Sequence, residues 1–183
     1  GYLYQEDVFT QASQQDYEDL DLDPNEVSND PSQLASNRRF SGPLFTFESI
    51  EPDFLPMSYI DRFERVEDYN LGRVLSAGIT LAPKALGSRD DALLLSATGT
   101  EGWRTGEAAF IRGEIGVASR YEDSEFQNTL ARTEIKFYQV FEPLVVRDYF
   151  LGRHTLAASL SLDYAYRLDK DRELLVGGDN AVR

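Results

Sequence analysis

The sequence predicts an all-β protein, an antiparallel meander of about seven strands, and three observations carry that expectation. Apolar and polar side chains alternate with a period of two through most of the chain, as in strands whose two faces meet different surroundings. Polar or glycine-bounded turns separate the alternating runs. No uncharged stretch approaches the roughly 18 residues of a membrane-spanning helix, whereas the longest, 74–83, has about the strand length of a bilayer crossing, roughly 10 residues.

The last run is the clearest. Leu156, Ala158, Leu160, Leu162, Tyr164 and Tyr166 share one parity, and Thr155, Ser159, Ser161, Asp163 and Arg167 the other. Aromatic residues ending an apolar row are what a barrel strand shows where lipid meets water. A charged tip follows at 169–173, and then a glycine-rich stretch to Arg183.

Taken in order, residues 1–9 read as a short strand and 10–38 as a long acidic loop with two prolines. So long a structureless connection is unusual in a compact soluble domain but ordinary on the outer side of membrane barrels. A second strand covers 39–50, with Phe45 and Phe47 opposite Thr46 and Glu48. The ragged stretch 55–70 is read together with the clean alternation at 71–81 as one strand. Residues 84–91 form a polar turn, 92–100 a strand, and Gly102-Trp103-Arg104-Thr105-Gly106 a turn. A strand over 107–119 sets Ala109, Ile111, Ile115 and Val117 against Arg112 and Glu114. An acidic loop at 121–127 leads to a strand over 131–141, where Ile135, Phe137 and Phe141 oppose Arg132, Glu134, Lys136 and Tyr138. Connections alternate between an acidic side and one richer in aromatic anchors, among them Tyr149 and Phe150. Parity is compatible both with a soluble sandwich or small barrel, whose polar face looks outward, and with a lipid-embedded barrel, whose polar face lines a lumen.

Composition excludes several classes. With 42% hydrophobic residues the chain is too apolar for disorder despite a formal charge of −14, and its 183 residues have the length of one domain. Eighteen basic residues among 32 acidic ones do not make a phosphate-binding surface, so no nucleic-acid partner is expected. There is no cysteine, and His154 stands alone, so neither a thiol nucleophile nor a metal site is expected. Gly-x-Ser-x-Gly is missing, which argues against a hydrolase. The acidic run 19–23 lacks the glycine and terminal glutamate of a calcium loop and reads as a solvated run. Trp103 reads as an interfacial anchor rather than a ligand-stacking residue. No enzyme activity and no cofactor are expected.

The segment Leu175-Val176-Gly177-Gly178-Asp179-Asn180-Ala181-Val182-Arg183 resembles the start of a loop in the bacterial surface antigen superfamily of outer-membrane β-barrels, the BamA, TamA and two-partner-secretion exporter type. In that family a Val/Ile-Arg-Gly-Phe/Tyr motif folds back inside a sixteen-stranded barrel, and Val182 and Arg183 match its first two positions. Residues 39–50 and 65–72 are also similar to family segments. The resemblance implies a transmembrane β-barrel segment, roughly the fifth to eleventh strands, in the bacterial outer membrane. Its implied work is inserting or exporting polypeptides. Its implied partners are outer-membrane lipid, a polypeptide substrate and periplasmic domains of the parent chain.

On that reading Gly177, Gly178, Asp179, Asn180, Val182 and Arg183 form the barrel-loop motif. Arg112, Glu114, Arg132, Glu134, Lys136 and Asp163 face the lumen, where they line a conduit or form an ion-pair ladder between neighbouring strands. The chain starts without a basic and apolar leader, so an export signal is expected to have been removed or to lie elsewhere. The alternative reading is a soluble or surface-exposed all-β binding module that recognises partners through the acidic loop. A lipid-degrading enzyme ranks third, because no nucleophile and base pair stands out.

Overall fold

The computed structural model describes residues 1–19, 34–62, 65–147 and 149–172. In chain order these form β1 (Tyr2–Asp7), helix α1 (Gln14–Asp19), β2 (Arg38–Ile50), β3 (Phe54–Met57), β4 (Glu67–Asn70), β5 (Val74–Ala82), β6 (Ala92–Gly106), β7 (Ala109–Glu122), β8 (Glu125–Val140), β9 (Val145–Val146), β10 (Tyr149–Phe150) and β11 (Thr155–Tyr166). Seven of the strands make one antiparallel sheet in the order β1-β2-β5-β6-β7-β8-β11, and the two hairpins β3-β4 and β9-β10 stand outside it. The meander expected from the alternation is present, and its first and last strands are not paired to each other.

Four local expectations are corrected. Residues 55–81 are not one strand but a hairpin followed by a strand. Tyr69 rests on the ring of Phe110 at 5.3 Å, which draws the ragged part across the sheet face instead of along it. The pentapeptide at 102–106 is strand, not turn, and the chain reverses at 107–108. Gly102 is there for close approach: a Cβ on it would lie 2.7–2.9 Å from Leu71 atoms, and its N–H donates to Leu71 O at 2.8 Å. The acidic loop at 121–127 is a two-residue turn, with Asp123 and Ser124 at φ 50 and 66. Both central residues on the left-handed side is the type I′ geometry that matches strand twist. The long connection after β1 contains helix α1, its first turn capped by Ser13 Oγ accepting from Asp16 N at 3.3 Å.

Side chains of a strand alternate between faces, and cross-strand partners share one. Arg38, Phe40, Phe110, Arg120 and Tyr138 fall on one face, called inner here because other parts of the chain cross it. Phe45, Phe47, Leu75, Ile79, Leu95, Val117, Ile135, Leu160 and Tyr164 fall on the outer face.

The apolar burial is inverted relative to an ordinary soluble domain. Among the described residues, eight hydrophobics are buried and twenty-nine large ones are exposed, with Leu160 and Leu162 each 71% exposed. The core cluster, Leu55, Met57, Leu71, Phe110 and Val140, forms where the β3-β4 hairpin covers the inner face near one end of the sheet. Among the described residues no second layer covers the outer face.

Candidate functional site: the inner face

Two crossings and the polar wall between them make up the inner face. At the acidic-loop end, the turn after β11 comes back over the sheet. Asp169 accepts from Arg120 Nη1 at 2.7 Å and Nη2 at 2.8 Å, and from Arg38 Nη1 at 2.9 Å. Asp171 accepts from Arg38 Nη1 at 2.9 Å and Nη2 at 2.7 Å, while Arg38 Nε donates to Asp7 at 2.7 Å. Two guanidinium forks are therefore held by three carboxylates in paired geometry, the strongest form of such contacts.

Phe9 and Phe40 lie against the cations, 5.3 Å from Arg38 and 5.7 Å from Arg120. Arg120 is 8% exposed; its Nε lies 2.6 Å from Glu122 Oε2 but has no well-directed acceptor, so that contact is one of charge rather than a hydrogen bond. The fork of Arg38 holds the Asp171 carboxyl below the usual carboxylate range.

These contacts require curvature. A flat sheet would hold β2 and β11, five spacings apart, about 24 Å from each other, while the link from Tyr166 to Asp169 spans at most about 10 Å. The sheet curls around its inner face, and the turn straps the two sides together.

The other end is closed by the excursion at 51–73. Tyr69, Phe110 and Tyr138 stack in a row with centroids 5.3 and 5.0 Å apart, over Leu55, Met57, Leu71 and Val140. The single Tyr69 hydroxyl proton lies between Asp61, 3.0 Å from Oη, and Glu67, 3.2 Å from it, and burial together with these carboxylates raises its pKa above the usual phenol value. Beyond the hairpin, Tyr59 O accepts from Thr155 Oγ1 on β11, and Arg153 sits 5.5 Å over the Tyr59 ring. This plug therefore reaches from β5 and β6 to the far strand.

Between strap and plug stand the residues expected from sequence to face a lumen. Arg112, Glu114, Arg132, Glu134, Lys136 and Asp163 all carry the inner-face parity of Phe110 and Arg120. One matched cross-strand pair is present among them. Arg132 Nε donates to Asp163 at 2.7 Å across strands, but Lys136 pairs with Glu134 along its own strand at 2.9 Å. Arg112 stands opposite Lys136, and Glu114 opposite Glu134. Like charges face each other in two successive rows, an arrangement that costs stability in a sheet, and Lys136 offsets part of it by binding Glu134 from one row to the next.

The motif residues Gly177, Gly178, Asp179, Asn180, Val182 and Arg183 lie outside the described residues. Arg38, Arg120, Asp169 and Asp171 were not anticipated as a site. The signal available was an arginine closing the acidic loop and a dense charge run after the last strand, which parity alone does not connect. Among the described residues no group of three or more potential metal-binding side chains comes together, and no helix is long and apolar enough to cross a membrane, which says nothing of a β-barrel. The chain matches no protein-family model, no curated protein and no solved structure.

Proposed function

We propose that this sheet is part of an outer-membrane β-barrel of the polypeptide insertion and translocation type, working in a bacterial outer membrane with polypeptide-binding domains of its parent chain. The observation that carries the membrane part is the exposed apolar face backed by a charged one. On β7 the outer row runs from Ile111 to Tyr121, about ten residue steps or about 34 Å along the strand. At a barrel tilt of about 40° that row stands about 26 Å tall, close to the roughly 25 Å apolar band of such barrels.

Aromatic residues gather near both ends of the band, Trp103 at one and Tyr121, Phe126, Tyr164 and Tyr166 at the other. Two shallow apolar grooves of about 370 and 590 Å³ run across the face between small and bulky residues, relief of a kind that flexible acyl chains fill. Among the described residues the outer edges of β1 and β11 carry no partner strand, and open edges are not tolerated in hydrocarbon, so a closed barrel takes further pairing there.

The polypeptide part rests on the resemblance of the 175–183 segment and on the charged rows of the inner face, which suit a wetted wall that a chain slides past. Trp103, the only tryptophan, tests the first part without mutation. Reconstituted into vesicles with brominated acyl chains, its emission is expected to be quenched; unquenched emission returns the chain to a soluble binding module. A photo-crosslinker at Ser161, on the inner face, tests the second: it should capture an outer-membrane or exported polypeptide during synthesis. Capture of none would remove the translocation role while leaving the barrel.

A further inference from the structure

We infer that the β9-β10 ribbon is a membrane-surface anchor, a hairpin laid into the headgroup layer beside the barrel. It rests on the membrane reading above. The ribbon continues the β8-β11 ladder beyond the rim of the sheet. Phe141 N donates to His154 O at 2.9 Å, Leu144 N to Gly152 O at 3.0 Å and Leu151 N to Leu144 O at 2.8 Å, and the pairs Val145-Phe150 and Val146-Tyr149 complete it. The described side chains along it are strongly exposed, Tyr149 by 73% and Phe150 by 70%, with Leu144, Val145 and Leu151 each about half exposed or more.

A free two-stranded hairpin is marginal in water, and this one is apolar on both strands, so something covers it. Continuity says what. Phe141 carries the outward parity of Ile135 and Phe137, so the lipid-facing row of β8 runs directly into the ribbon.

Length then decides the posture. From Phe141 to Val146 the ladder extends about 17 Å, or about 13 Å along the membrane normal at a 40° strand tilt. The headgroup layer on each side is only about 5–8 Å thick. An upright ribbon would carry Val145, Tyr149 and Phe150 through the headgroups into water. A ribbon lying over keeps them at the boundary between headgroups and acyl chains, the depth at which amphipathic elements rest.

The geometry permits that bend. Pro143 and Gly152 interrupt the ladder between the two sheets, Gly152 at φ 78, and the tip turns at Arg147 with φ 56. Arg147 is exposed and has no ion pair among the described residues, so it is available to lipid phosphates, whereas Arg153 is held over Tyr59 and near Glu142.

The test uses Phe150→Trp in a Trp103→Phe background, with Tyr149→Trp as a second probe in case the first does not fold. The protein is placed in phosphatidylcholine and phosphatidylglycerol vesicles carrying nitroxide at either headgroup or deep acyl-chain level. We expect the introduced indole to be quenched about twofold more strongly by the headgroup label. Stronger quenching by the deep label would make the ribbon part of the span and overturn the proposal. Quenching by neither, while native Trp103 is still quenched by either label, would place the ribbon in water or on a protein partner, again overturning it but sparing the membrane reading. If native Trp103 is also unquenched, the membrane reading itself fails.

Discussion

Asp169 stands between Arg38 and Arg120, accepting from the first at 2.9 Å and from both terminal nitrogens of the second at 2.7 and 2.8 Å, although β5 and β6 separate the strands that carry them. One carboxylate on a turn thereby holds two cations that the sheet alone keeps apart. Because the Arg120 side chain is about 9% exposed, its partners depend on it.

Arg120→Met should therefore cost about 3 kcal/mol, mostly by leaving Asp169 and Glu122 short of a buried partner. The double variant Arg120→Met with Asp169→Leu should recover much of that loss. Denaturant unfolding of the protein in detergent or lipid reads both together with Asp169→Leu alone, and single-variant losses that simply add in the double would show that the bridge carries no coupling.

The strap should survive mild acid. The Arg38 fork lowers the Asp171 pKa, so the folded state binds the proton less readily than the unfolded chain. Its contribution is complete above the ordinary carboxylate value of about 3.9 and disappears as pH falls through the lower folded value. The cysteine-free chain allows spin labels at Thr10→Cys and Leu168→Cys. Their separation should stay constant from neutral pH to about 4 and lengthen below it; lengthening that begins near pH 6 would point to another group.

The plug should fail in the opposite direction. Burial and the carboxylates of Asp61 and Glu67 keep the Tyr69 phenol protonated above its usual value. For this raised pKa the stability is present below about pH 10 and is lost as pH rises above it. Hydrogen exchange of residues 54–70 should accelerate above pH 10 in the native protein, and Tyr69→Phe should abolish that alkaline step while leaving the Phe110 stack.

Gly102→Ala should destabilise the same end by about 1–3 kcal/mol, the usual cost of forcing extra volume into a packed site. The added methyl would meet Leu71 Cδ2 at 2.7 Å and Cα at 2.9 Å, and the backbone contact cannot yield as a side chain would. Gly106→Ala, where the nearest neighbour is Ala109 Cβ at 3.6 Å, is the control and should be close to neutral. Equal losses at both positions would remove the close-approach argument.

The sequence by itself determined the seven-strand meander and the side of each residue in its cleanly alternating runs. Alternation is local, so Arg112, Glu114, Arg132, Glu134, Lys136 and Asp163 could be assigned to one face without knowing their partners. It also marked the all-β class and the absence of a spanning helix. Only the tertiary structure decided which like charges oppose each other, because register is set between strands and not within them.

It also decided that Gly102 continues a strand, since the feature that requires a glycine there is Leu71, thirty-one positions away in sequence and in contact in space. The strap and the plug lay furthest from view. Arg38 meets Asp169 across 131 residues, a separation at which neither periodicity nor charge pattern specifies a partner. That contact exists because the sheet curls, and curling is a property of all seven strands together.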